Sequence, residues 1–200
     1  MADAGVLIAA AARPHPTEDV SGDAWHVDWN SLGCRIALID GLGHGPAAAE
    51  AAARAREVLA ASPDAHPADV LRLCHEALRR TRGAAMGVAA ILPDDGRVIY
   101  AGIGNVEARL VVAGRTVRLL SSRGIVGAVL PTVRPVEAKL EPGWLFLIHT
   151  DGISDRFTLD EGVAENGGHP QLLADTILSH WARAADDATV VVACREQSVR

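Results

Sequence analysis

Aromatic side chains are scarce: two Phe, one Tyr and four Trp in 200 residues. The core must therefore be built from Ala, Val, Leu and Ile, in a chain long enough to bury roughly 70% of its unfolded surface without a disulfide or structural metal. Cysteine is scarce too. Cys34, Cys74 and Cys194 stand singly in apolar segments with no Cys-x-x-Cys pair. A disulfide framework and a cysteine-ligated zinc site are thereby excluded, and the three read as reduced core thiols of a cytoplasmic protein. Long hydrophobic runs are missing. Val6–Ala12 falls short of a membrane span, follows Asp3 rather than Lys or Arg, and stops at Arg13, so it reads as a buried strand and not a signal-peptide core. Positive charge is in deficit, with 19 basic against 25 acidic residues and a net charge of −6. Without a basic stripe, binding to nucleic acid or to an anionic membrane is excluded as a leading function.

What is present is apolar and patterned. At 49% hydrophobic and 22% charged residues the chain is globular. Val6–Ala12, Ala24–Trp29 and Arg35–Ile39 read as strands, and the third runs into Asp40-Gly41-Leu42-Gly43-His44-Gly45. Two helices follow, from Pro46 to about Ala60 and from Pro67 to about Arg80, the second with Val70, Leu71, Cys74 and Leu78 on one face. Short strands return over Ala85–Leu92, Arg97–Gly102, Val106–Ala113 and Thr116–Leu120, with turns at Asp94-Asp95-Gly96 and Ala113-Gly114. Ser121 to Gly143, with Pro131, Pro135 and Pro142, reads as loop. Trp144–Thr150 is a strand, Glu161 to His169 an acidic Gly-rich loop, Gln171–Ala182 a third helix and Thr189–Cys194 a last strand. Hairpin clusters and adjacent helices indicate α+β packing on antiparallel sheets, in a single domain over residues 1–200.

Aspartates recur at strand ends. Asp40 follows Arg35–Ile39, Asp151 follows Leu145–Thr150, Asp186 and Asp187 precede Ala188–Val192, and Asp23 precedes the second strand. Brought together, such carboxylates repel one another unless cations neutralise them. All-oxygen ligation is the preference of hard ions such as Mg²⁺ and Mn²⁺. A single Asp-Gly is most simply a turn; acidic residues at several strand ends favour a metal cluster.

The ordered set Gly22-Asp23, Asp40-Gly41-Leu42-Gly43-His44-Gly45, Asp151-Gly152 and Asp186-Asp187-Ala188-Thr189 resembles the motifs of the metal-dependent protein phosphatases, the PPM or protein phosphatase 2C-like family, in its SpoIIE branch. Thr81-Arg82-Gly83-Ala84-Ala85, Ala101–Glu107 and Arg123-Gly124-Ile125-Val126-Gly127 bring the resemblance nearest to RsbX-type phosphoserine phosphatases. It runs from about Arg13 to Val192.

The resemblance implies a four-layer α-β-β-α sandwich and two divalent ions, Mn²⁺ or Mg²⁺. It implies that Asp40 bridges the ions with help from the Gly41 carbonyl, that Asp151 and Asp186 complete one site, and that Asp23 lies at the other. Asp187 stands behind the ligands. The implied reaction is hydrolysis of phosphoserine or phosphothreonine by a metal-bridging hydroxide, with Asp40, Asp151 and His44 as catalytic residues. The implied partners are phosphorylated STAS-domain proteins of a stressosome or partner-switching pathway. The absence of a sensor or kinase segment fits a dedicated feedback enzyme, and nothing in the pattern demands a dimer, so a monomer is expected.

The chain departs from eukaryotic relatives in two places. Glu18 stands in the region where they place a phosphate-binding arginine, and Leu42 stands where they carry a histidine two residues after the bridging aspartate. His44 reads either as proton donor or orienter of water, or as a loop histidine satisfied by backbone. His149 reads as a partly buried strand residue, and Asn105 as support for its turn. Thr150, where many relatives have Ser, has no evident effect on Asp151. Arg82 and Arg123 are candidate phosphate or substrate contacts. The stretch Ser121–Gly143 lies where larger relatives insert a flap; being short, it would leave a cleft open to a folded phosphoprotein. Two other functions compete with this reading: a non-catalytic phosphoprotein-binding module, and an ATPase using Asp40–Gly45 as phosphate loop. The latter lacks the Lys-Ser/Thr of a Walker loop.

Overall fold

The computed structural model describes residues 5–157 and 169–195. In chain order they form β1 (Val6–Arg13), β2 (Asp23–Asn30), β3 (Gly33–Gly41), α1 (Pro46–Ala60), α2 (Pro67–Leu78), β4 (Ala84–Leu92), β5 (Arg97–Ile103), β6 (Glu107–Val112), β7 (Arg115–Leu119), β8 (Val136–Lys139), β9 (Leu145–His149), α3 (Pro170–Trp181) and β10 (Ala188–Arg195). One five-stranded sheet has the order β1-β10-β9-β6-β7 and the other β2-β3-β4-β5-β8. All their pairings are antiparallel.

β3 shows why these sequences stack in four layers. Its residues are buried throughout except Asp40, which is half-buried. Ile36 and Leu38 face the other sheet, in a core shared with Tyr100, Phe146, Ile148 and Val191. Ala37 and Ile39 face α1 and α2 with Ala51, Ala55, Leu71 and Cys74. A strand buried on both faces reads as a continuous apolar run rather than an alternation. Behind the other sheet, Leu173, Ala174 and Ile177 of α3 pack on Leu147, Val190 and Val192. The result is the α-β-β-α sandwich. Three buried free thiols sit in these cores, Cys34 and Cys74 pushed up to about 12 by burial, as unreactive core groups.

All three helices of the described residues begin with proline in their first turn, where a missing N–H costs nothing. α1 closes onto a buried cation: the Arg35 guanidinium donates to the Leu59 carbonyl in its last turn and to the Ser62 and Ala65 carbonyls beyond it, and pairs with Asp28. Between β6 and β7, Ala113 and Gly114 both take positive φ, 47° and 70°, as a tight two-residue hairpin requires.

Two boundaries correct the sequence reading. α2 ends at Leu78, with Arg79 as its cap, rather than at Arg80. Within Ser121–Gly143, Val136–Lys139 is a strand, β8, paired with β5. Its four residues lie just past Pro135 and are mostly exposed, so no buried face marks them in the sequence. The expected loop at Glu161–His169 lies, up to residue 168, outside the described residues. Among the described residues no helix is long and apolar enough to cross a membrane.

Candidate active site

The strand-end aspartates come from both sheets to one end of the sandwich. Asp23 opens β2 and Asp40 nearly closes β3, and the two are register partners. Paired residues of antiparallel strands share a face, so both carboxylates lie on the side of Leu38 and Ile36, between the sheets. From the facing sheet, β9 runs out into Thr150-Asp151 and β10 starts after Asp186-Asp187, and these strands are neighbours.

Backbone contacts make the glycines of the motifs necessary. A Cβ at Gly41 would overlap the Ala48 carbonyl of α1, and one at Gly152 would overlap the Asp187 carbonyl. The Gly41 amide donates to the Gly22 carbonyl and the Leu42 amide to that of Gly83. The loop after Asp40 is thereby tied to the Thr81–Gly83 segment.

The side chains are held by specific donors. Thr150, fully buried, donates its hydroxyl to Asp23 Oδ2 at 2.8 Å and accepts the Thr189 amide at 3.1 Å. Asn105 donates to Asp151 Oδ2 at 2.6 Å. The His15 amide donates to Asp187 Oδ1 at 2.9 Å, while Asp187 Oδ2 is buried with no partner among the described residues. Neither the role of Thr150 nor that of Asn105 was legible: the sequence reading gave the first no effect on a ligand, and the second only its turn. A hydroxyl directly before Asp-Gly at a strand end is the one available signal.

Electrostatics set this cluster apart. Burial, and then repulsion from Asp23, Asp151, Asp186 and Asp187, pushes the Asp40 carboxyl up to about 8. Burial lifts Asp23 to about 7 against the hydrogen bond from Thr150, with Asp187 and Asp186 adding to the rise. Asp186 is raised by burial and by Asp151. Among the described residues no group of three His, Cys, Asp or Glu side chains is already gathered round a point as a finished metal site. Asp23 and Asp151 are instead turned toward Thr150 and Asn105. The donor set nevertheless fits hard divalent ions: several oxygen ligands repelling one another, and an orphaned carboxylate oxygen on Asp187.

His44 donates to Glu18 Oε1 at 2.7 Å and stacks on His15 with ring centroids 4.5 Å apart. Its partner is thus a carboxylate rather than backbone. Arg82 is exposed, with its guanidinium close over Gly43. Arg123 is exposed in a loop whose Ser122 carbonyl accepts the Gly104 amide, beside Asn105. The three loop motifs around Arg82, Asn105 and Arg123 therefore form one rim, further joined by paired backbone bonds between Ala84 and Val126. His149, read as a partly buried strand residue, is fully buried in β9, with Nδ1 on the Thr150 carbonyl and Nε2 3.9 Å from Glu107 and without a hydrogen-bond partner among the described residues. Burial lowers its pKa.

Paired antiparallel sheets between helical layers, with acidic side chains gathered at one end, define the protein phosphatase 2C-like class, the fold of protein serine/threonine phosphatases. The family model of Stage II sporulation protein E (SpoIIE) matches residues 31–196, and the chain belongs to that family. A sequence search of curated proteins gives no match. Among solved structures, a chain from work on the bacterial stressosome as a modular system controlling secondary messenger signalling is 28% identical, with a TM-score of 0.84 over 94% of this chain and 98% of that one. RsbX in complex with magnesium is 19% identical, TM-score 0.83, over 94% of each chain. The catalytic domain of the serine/threonine phosphatase PstP with two manganese ions is 19% identical, TM-score 0.72, over 96% and 99%.

Proposed function

We propose that this chain is a single-domain, metal-dependent protein serine/threonine phosphatase acting in the cytoplasm on a phosphorylated STAS-domain protein of a stressosome or partner-switching pathway. The observation that carries it is the cluster Asp23, Asp40, Asp151 and Asp186, drawn from both sheets and mutually repelling. Buried like charge of this kind costs stability unless something cationic offsets it. Two divalent ions, Mn²⁺ or Mg²⁺, would be held by these carboxylates and the Gly41 carbonyl. Bound there, they supply Lewis acidity that makes water nucleophilic near neutral pH and offsets charge on a phosphoryl group.

The chain's own residues do the rest. Thr150 and Asn105 orient Asp23 and Asp151, and Asp187 stands behind them. His44, anchored through Nδ1 by Glu18, keeps Nε2 for delivering a proton to the departing serine or threonine oxygen. Arg82 and Arg123 stand on the rim, where they meet phosphate or the phosphoprotein surface. The structural likeness to the stressosome chain and RsbX supports the choice of pathway.

The test is release of phosphate from a phosphorylated STAS-domain protein, followed on a phosphate-affinity gel with Mn²⁺, Mg²⁺ or EDTA. Turnover with metal and none in EDTA is expected. Binding without turnover in any metal would favour the non-catalytic module.

A further inference from the structure

Among the described residues β2 is an edge strand, paired only with β3. Its face toward the other sheet reads Asp23, Trp25, Val27, Trp29, alternating residues opposite Asp40, Leu38, Ile36 and Cys34. In a chain with four tryptophans, two lie on this edge at 42% and 39% exposure, with Leu32 beyond them at 61%. Of the other edges, β7 and β8 carry Arg115, Arg118, Glu137 and Lys139, charges that discourage pairing, while β1 carries only Arg13 at its end. β2 replaces such protection with indole rings. Along it runs a cleft of about 420 Å³ lined by Ala12, Asp23, Trp25, Val27, Arg56 and Thr189. The cleft therefore starts at one of the acidic site residues and continues along the open edge. Arg56 is exposed and makes no ion pair among the described residues.

We infer that the β2 edge docks the polypeptide substrate as an added strand, with its phosphorylated residue at the Asp23 end. The inference rests on the phosphatase reading, which makes the substrate a protein. Backbone pairing to an open edge supplies affinity, and side chains on alternate positions supply selection. Antiparallel addition gives the more stable ladder. It runs the substrate from the Asn30 end toward Asp23, so the apolar positions meeting Trp29 and Trp25 come six and two residues before the phosphorylated one. An acidic side chain on the same segment meets Arg56. Trp and Arg are the residue types that most often concentrate binding energy in an interface.

The probe is a fluorescein-labelled peptide with valine six and two residues before a phosphoserine, threonine between them and one glutamate. Its binding to the intact protein is measured by anisotropy, and p-nitrophenyl phosphate turnover with Mn²⁺ is measured alongside. Trp25→Ala with Trp29→Ala is expected to weaken peptide binding at least about tenfold, and Arg56→Glu severalfold, while Phe at both positions keeps most of it and p-nitrophenyl phosphate turnover stays unchanged. Wild-type affinity in the alanine and Arg56→Glu variants overturns the inference, as does equal binding of the peptide with its order reversed. Failure of the phosphatase reading looks different: no p-nitrophenyl phosphate turnover, with tryptophan-dependent peptide binding intact.

Discussion

Asp40→Asn should make the metal-free protein more stable, although it removes the residue most central to the site. In the fold, burial and its acidic neighbours put the Asp40 carboxyl at about 8, against 3.8 for the free side chain. The native state therefore holds a proton that the unfolded chain has lost. The sign follows: this group costs nothing below pH 4, and its cost grows by about 1.4 kcal/mol for each pH unit up to about pH 8, where it levels off. At pH 7 the cost reaches at most about 4 kcal/mol, and Asn, which carries no charge in either state, removes it. Urea denaturation of both proteins in EDTA, from pH 4 to pH 8, measures the difference. Asp40→Asn is expected to gain about 2–4 kcal/mol at pH 7 and almost nothing at pH 4. Saturating Mn²⁺ should reverse the order, because the ions stabilise only a protein that binds them. A variant less stable than wild type in EDTA at pH 7, or a difference independent of pH, would refute the electrostatic reasoning.

Thr150→Val removes the donor to Asp23 and should weaken Mn²⁺ binding, measured by calorimetry, by about 10–100-fold, whereas Thr150→Ser should restore it. His44→Ala should lower turnover of a phosphoserine peptide by about 10²-fold or more while sparing p-nitrophenyl phosphate, whose leaving group needs no proton; equal losses on both would remove His44 from the acid role. Arg35→Met leaves Asp28 with His26 alone among the described residues and strands the carbonyls that end α1, and should cost about 3–5 kcal/mol in urea denaturation without changing metal affinity.

Much of this architecture was legible because its signals are local. α1 starts and stops as the Pro46 cue and the alanine-rich helical run indicate, and the Ala113-Gly114 turn shows in two adjacent small residues. β8 was not legible, since an exposed four-residue edge strand has no buried face to alternate against. The strand-end aspartates could be suspected from the sequence, but which of them meet depends on β2 pairing with β3 and β9 with β10, contacts between distant segments. The layer order came from the family resemblance rather than from any periodicity. Thr150 escaped for the same non-local reason: its hydroxyl bridges two sheets, reaching Asp23 at a separation of 127 residues. Gly41 was read for a carbonyl near an ion; the structure adds that α1 leaves no room there for a side chain.

The central claim is that the acidic cluster is a two-ion hydrolytic centre. The most direct test is hydrolysis of p-nitrophenyl phosphate by wild type and Asp40→Asn with Mn²⁺, Mg²⁺ and EDTA. Metal-dependent turnover is expected in the wild type, none in EDTA, and a loss of at least about 10²-fold in Asp40→Asn. Undiminished turnover in EDTA, or full activity in the variant, would contradict it.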